Sequence, residues 1–100
     1  MWFEFKADLW LYPGEGAWVF VTLPKNIAED IKHTTNVLPK RGFGSIKVKA
    51  TVNNVDWQTS IFPDTRSTSY VMPIKRDVRI KAKISVGDTC DFNIHIEEKL

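Results

Sequence analysis

The sequence predicts one small, mainly β domain over residues 1–100, and three observations support this. A length of 100 residues is typical of a single domain. Apolar and polar residues alternate in several segments, which is the pattern of half-buried strands. Clusters of turn-forming residues separate these segments. We therefore expect about six strands, together with two short helices.

The N-terminal third predicts a hairpin followed by a helix. Apolar residues at every second position put one face of the first strand inward (Phe3, Phe5, Ala7, Leu9 and Leu11). A turn at residues 13–16 leads to a β-rich segment at 17–23, and we expect these two strands to pair. Pro24 then opens a short helix, because proline is tolerated in a first turn.

The middle of the chain predicts a second hairpin. Residues 45–52 and 55–62 both alternate, and Asn53-Asn54 between them tolerates the positive φ that a tight turn requires. A polar loop follows at 63–69, and then a short strand at 70–72.

Residues 75–84 fit two structures, since the apolar positions suit both a strand and a helix. We favour the helix, because the order strand, proline, helix, glycine, strand would then occur twice in the chain. The last strand includes Cys90, Phe92, Ile94 and Ile96 on one face.

Composition excludes several classes of protein. A net charge of +2 is too small to indicate a nucleic-acid or membrane partner by itself, so the distribution of the charges decides that question. No apolar run approaches the ~20 residues that span a bilayer. The N-terminus has no signal-peptide pattern, and the single cysteine, Cys90, fits a reducing compartment. We therefore predict a cytoplasmic location.

Four stretches together resemble one family: KADLW with GAWVFVTLP, then RGFGS, WQTSIFP and YVMPIK. Their order and spacing are similar to the bacterial domain-of-unknown-function family numbered nineteen-hundred-and-five, over nearly the whole chain. The resemblance implies a small double-split β-barrel with two short helices, a shape shared with the DNA-binding regulators and antitoxins of the AbrB and MazE kind. It implies no catalytic or ligand-binding residue. Residues 77–83 depart from the family pattern, because they are β-branched and alternating where relatives are richer in alanine.

The first candidate site is a loop with two glycines and two cations, which could present backbone N–H groups to an anion: Lys40, Arg41, Gly42, Phe43, Gly44 and Ser45. It lacks the Gly-Lys-Ser/Thr ending of a Walker loop. The simpler interpretation, which we favour, is a glycine bend into the next strand with Phe43 at the barrel end. Aromatic residues could extend this site as a pocket at the barrel mouth, although core packing explains them as well: Trp18, Trp57, Phe62 and Tyr70.

The second candidate site is a basic face that could follow a phosphate backbone: Lys47, Lys49, Lys75, Arg76, Arg79, Lys81 and Lys83. On a helix the last five would not all lie on one side, so a solvated charged surface is the simpler interpretation.

Catalytic and metal sites have weaker support. Asp91, Asn93, His95 and Glu97 share one face of the last strand, which we interpret as an ordinary polar face. Cys90 lies on the opposite, apolar face, and no serine has the surroundings of a nucleophile elbow. We predict neither a cofactor nor a metal.

Three functions therefore remain open. The leading hypothesis is a non-catalytic binding module for a small ligand or protein partner, with a homodimer compatible with the sequence. The alternative is a weak nucleic-acid-binding protein that uses the basic face. The third is an enzyme without a recognisable motif.

Overall fold

The structure, a computed structural model, describes residues 1–14, 16–35 and 44–97. Seven strands and two helices occur within these residues. Their bounds in chain order are β1 Trp2–Asp8, β2 Trp10–Leu11, β3 Val19–Thr22, α1 Lys25–Thr35, β4 Ile46–Val52, β5 Val55–Asp64, β6 Ser69–Pro73, α2 Arg76–Ala82 and β7 Thr89–His95.

The strands form one antiparallel sheet in the order β1-β7-β4-β5-β6-β3-β2. Its two edge strands, β1 and β2, are consecutive in the chain and are separated only by Leu9. The Leu9 N–H donates to the Asp88 carbonyl over 3.0 Å, and the Leu9 carbonyl accepts from the Gly87 N–H over 2.9 Å. Because both edges lie on one short segment, the sheet must curl back towards itself. This confirms the mainly β, barrel-like prediction; the specific relation to AbrB and MazE stays a prediction.

The predicted N-terminal hairpin is only partly correct. Only β2 pairs with β3, through Trp10 opposite Phe20, whereas β1 pairs along its full length with β7. Burial explains this choice, since the long-range pairing stacks the Phe5 ring against Phe92 in the core at 5.8 Å. The division of the predicted first strand at Leu9 raises the strand count from about six to seven. It also leaves Leu11, which we predicted to face inward, 52% exposed.

The second hairpin forms as predicted. β4 and β5 pair from Ile46 opposite Ile61 to Val52 opposite Val55. Asn53 and Asn54 between them have φ values of 48° and 65°, as a two-residue turn requires. β5 and β6 extend into the predicted polar loop, which shortens it.

Residues 76–82 are helical, which agrees with the favoured interpretation. Val78 and Ala82 lie one turn apart and are buried, whereas Ile80 is 64% exposed. The helix ends at Lys83, which has left-handed φ and ψ of 58° and 48° and whose N–H bonds the carbonyls of Arg79 and Ile80. α1 buries Ala28 and Ile31 in the same way.

Candidate ligand-binding groove

The predicted loop site lies mostly outside the described residues, which do not include Lys40, Arg41, Gly42 or Phe43. Gly44 and Ser45 are half-buried at the entry to β4. Gly44 has a φ of 83°, which agrees with a glycine bend at this point. The anion-binding role of the loop stays a prediction.

The structure places two of the predicted aromatic site residues in the protein core. Trp57 is 9% exposed and pairs with Ala50 across β4 and β5. Tyr70 is 3% exposed, and this burial raises the pKa of its phenol. Phe62 is exposed on the outer side of β5. We therefore do not include Trp57 and Tyr70 in the site described below.

The predicted basic face is divided between two elements. Lys47 and Lys49 are exposed on β4, where the Lys49 Nζ lies 3.7 Å from the Asp56 carboxylate. On α2, helical spacing puts Arg76 and Arg79 on one side and Lys81 on another. Lys83, which follows the helix, lines one groove together with Arg76 and Arg79. The cations of α2 are therefore the candidates for a joint site.

An exposed tryptophan lies beside these cations. A groove of about 230 Å³ separates the start of β3 from the start of α2. Its lining includes Gly16, Trp18, Pro73, Lys75, Arg76 and Arg79, and we call it the Trp18 groove. The Trp18 side chain is 58% exposed. An apolar ring and several positive charges thus share one small concave surface.

The turn before β3 sets the position of the Trp18 ring. Gly16 and Ala17 both have left-handed backbones, with φ values of 95° and 49°. A Cβ atom at Gly16 would lie 2.8 Å from the Trp18 Nε1, which is too close for an unaltered ring position. On the other side, the Trp18 ring lies nearly parallel to Phe20, with 6.4 Å between centroids and 16° between planes.

The aromatic side chains continue over the outer side of β2 and β3 and form an aromatic surface (Trp10, Tyr12, Trp18 and Phe20). Neighbouring ring centroids are 5.4 to 6.4 Å apart. The Trp10 Nε1–H donates to the Thr22 hydroxyl over 2.9 Å, which fixes one ring. The guanidinium of Arg66 lies 5.9 Å from the Tyr12 ring centroid, within reach of a cation–π interaction.

Four cations line the groove or continue from it along α2, and we call them the groove cations (Lys75, Arg76, Arg79 and Lys83). None of them forms a salt bridge with another described residue. Asp77 is the one acidic residue of α2. The Arg79 Nε is enclosed and donates to no acceptor in the described part of the chain. A second groove of about 670 Å³ shares Arg76 and Arg79 and continues past Ile80 to Lys83.

The polar face of the last strand contacts β1. The Asp91 carboxylate lies 3.2 Å from the Lys6 Nζ, and the Asn93 amide donates to the Glu4 carboxylate over 3.4 Å. The His95 ring stacks on Trp2 with 4.2 Å between centroids. The described residues hold no group of three or more metal-binding side chains.

Cys90, on the opposite face of this strand, is half-buried. Burial raises the pKa of its thiol, and the negative charges of Asp88 and Asp91 raise it further. A raised pKa disfavours the thiolate, which is the nucleophilic form.

Sequence reasoning treated Trp18 as part of a pocket with Trp57 and Tyr70, and it missed the aromatic surface. A usable signal was present, because Trp10 and Tyr12 occupy the polar-face positions of an alternating segment. Such positions face solvent, and here they hold large aromatic residues, with a turn and a third aromatic residue after them. This pattern indicates that the solvent-facing side of these strands is apolar.

Comparison with known families identifies the domain. The model of the domain of unknown function DUF1905 matches residues 5–94. The chain belongs to the DUF1905 family. This DUF1905 domain includes the Trp18 groove and the groove cations. No curated protein matches the chain at a significant level.

Neither helix of this DUF1905 protein, within the residues described, has the length and apolar character that crossing a membrane requires.

Proposed function

We propose that this DUF1905 protein is a non-catalytic binding module whose Trp18 groove holds an anionic group of its partner. One observation carries the proposal: the exposed Trp18 ring lies beside Arg76 and Arg79, and neither cation has an ionic partner among the described residues.

The side chains of the groove support binding. Tryptophan, tyrosine and arginine supply most of the energy in protein-binding sites, because they bury large areas and still form polar contacts.

The size of the groove limits what can bind. Pockets for whole drug-sized molecules or cofactors occupy about 300–1,000 Å³. A volume of about 230 Å³ instead suits one ring or one anionic group of a larger partner.

The lining chemistry supports binding rather than catalysis. The described lining includes lysine and arginine, but no histidine, carboxylate, serine or cysteine. A general acid–base pair or an activated nucleophile needs such groups within hydrogen-bond reach of each other.

The proposed setting is the reducing cytoplasm of a bacterium. The single, half-buried Cys90 supports a reducing compartment, and the family resemblance supports the bacterial source.

The test is a ¹H–¹⁵N NMR titration with inorganic tripolyphosphate, in which the four tryptophan indole signals are assigned by single Trp→Phe variants. We expect the Trp18 indole and the backbone amides of residues 74–79 to shift with one saturation curve. The buried Trp57 and the exposed Trp2, neither of which lines the groove, serve as internal controls and should stay unchanged. Shifts that are spread over the whole surface, or absent at millimolar tripolyphosphate, would contradict the proposal.

A further inference from the structure

We infer that the anionic partner is a single-stranded nucleic acid, with bases stacked on the aromatic surface and phosphates bound by the groove cations. This inference rests on the proposed function and adds the class of partner.

The aromatic surface contains more rings than the binding of one anionic group would require. Two of its rings, Trp18 and Tyr12, are 58% and 44% exposed, so both are accessible to a partner. Proteins that bind single strands stack successive bases on aromatic side chains, and the contact tolerates any sequence because every base has a π-face.

The groove cations lie where a backbone could follow them. Arg76, Arg79 and Lys83 line the same groove, and the helix of residues 76–82 beside it is about 10 Å long. Arg76 and Arg79 also line the Trp18 groove. A strand whose base stacks on Trp18 therefore has its neighbouring phosphates within reach of several cations. No described residue forms a salt bridge with these cations, so none of the described acidic groups competes with a phosphate for them.

Other partners fit less well. The bases of a duplex stack on each other and show only their edges in the grooves, so they cannot cover exposed rings. A second copy docked about a two-fold axis would put the groove cations opposite themselves. An acidic peptide would match the charge but would leave most of the aromatic surface uncovered.

The experiment measures fluorescence anisotropy of a fluorescein-labelled 12-nucleotide oligo-dT with the full chain at 50 and 200 mM NaCl. Each phosphate bound on a single strand contributes about −0.7 to the slope of log K against log salt. Three or four bound phosphates therefore weaken binding about 20- to 50-fold between the two salt concentrations.

Two matched pairs of variants locate the site. Trp18→Ala should weaken binding about 5- to 150-fold, the range expected for one stacked base. Trp2→Ala removes a ring that is also exposed but lies on β1 outside the groove lining, and it should not weaken binding. Arg76→Ala should weaken binding and reduce the salt slope by about 0.7, whereas Lys25→Ala, at the far end of β3, removes the same charge without a change in slope. Trp18→Phe retains a smaller aromatic ring, so its affinity for oligo-dT should lie between those of the unaltered protein and Trp18→Ala. If Trp18→Ala does not fold, Trp18→Phe is the variant that tests stacking at this position.

The outcomes separate the two proposals. If tripolyphosphate shifts Trp18 but oligo-dT binding is absent or indifferent to Trp18→Ala and Trp18→Phe, the nucleic-acid inference is wrong and the anion-binding proposal stands. A labelled 12-residue oligoglutamate that binds more tightly than oligo-dT would also overturn the inference, in favour of an acidic protein partner. Tighter binding of a 12-base-pair duplex than of oligo-dT would contradict the stacking. Failure of every probe would overturn both proposals.

Discussion

The lack of a side chain at Gly16 and the position of the Trp18 ring are linked in the turn between β2 and β3. The left-handed backbone at Gly16 is readily adopted only by glycine, and the missing side chain leaves the space that the Trp18 indole occupies. The position of the Trp18 ring in the groove wall therefore depends on the absence of a side chain at Gly16.

Substitution of Gly16 tests this dependence. Gly16→Ala should lower the free energy of unfolding by about 1–2 kcal/mol, because a Cβ disfavours positive φ, and it should also displace the indole. Gly87→Ala is the matched control, since Gly87 has a φ of 94° but no atom within 4 Å of the added Cβ. Urea denaturation should show a loss for both variants, while the Trp18 indole NMR signal should move only in Gly16→Ala. Equal indole spectra for both variants would show that Gly16 does not position the ring.

Trp18 and Trp57 show that residue type alone does not determine whether a tryptophan is buried. Trp18 and Trp57 both lie in β-rich segments, and both were candidates for one pocket. The structure buries Trp57 between strands and exposes Trp18 at the end of a turn. Burial depends on which other elements cover a strand, and no local pattern contains that information.

At the scale of elements, α2 shows how a repeated pattern can mislead. Val78, Ile80 and Ala82 alternate with charged residues, as in a strand. The helix buries only Val78 and Ala82, which are one turn apart, and leaves Ile80 on the surface. A proline before the segment and a glycine after it were the local signals that favoured the helix.

Glycine substitutions at the end of α2 should have opposite effects. Lys83→Gly should raise the free energy of unfolding by about 0.5–1 kcal/mol, because Lys83 holds the left-handed conformation that glycine adopts at helix ends. Lys81→Gly removes the same charge inside the helix and should lower that free energy by about 1 kcal/mol. Urea denaturation of the two variants measures both changes. A loss of stability in both would contradict the left-handed C-cap.

At the scale of the whole molecule, the pairing of β1 with β7 closes the fold. These strands lie near opposite ends of the chain, and their register runs from Trp2 opposite His95 to Asp8 opposite Thr89. β7 lies between β1 and β4 in the sheet, so this pairing attaches the N-terminal strand to the rest of the sheet. Loss of this pairing would expose Phe5, Phe92 and the apolar face between them.

An engineered disulfide tests this topology. Ala7 lies directly opposite Cys90 on the same side of the sheet, so Ala7→Cys should form an intramolecular disulfide under dilute oxidising conditions. The bond should stabilise the protein by about 2–4 kcal/mol, because it closes a long loop in the unfolded chain. Mass spectrometry and non-reducing electrophoresis detect it, and thermal melting with and without reductant measures its effect.

Lys6→Cys is the control for the disulfide, because its side chain lies on the other side of the sheet from Cys90. Equally efficient bridging in Lys6→Cys, or none in Ala7→Cys, would contradict the register of β1 and β7.

Residue order alone established the class of fold, the second hairpin with its Asn53-Asn54 turn, the site of α1 and the family. These features follow from preferences that act over a few residues: side-chain periodicity, positive φ and the restrictions of proline. Only the tertiary structure decided that β1 pairs with β7, that Trp57 is buried, and that Trp18 lies beside Arg76 and Arg79. The reason is that these choices minimise the free energy of the whole packed core, in which residues far apart in the chain compete for the same partners.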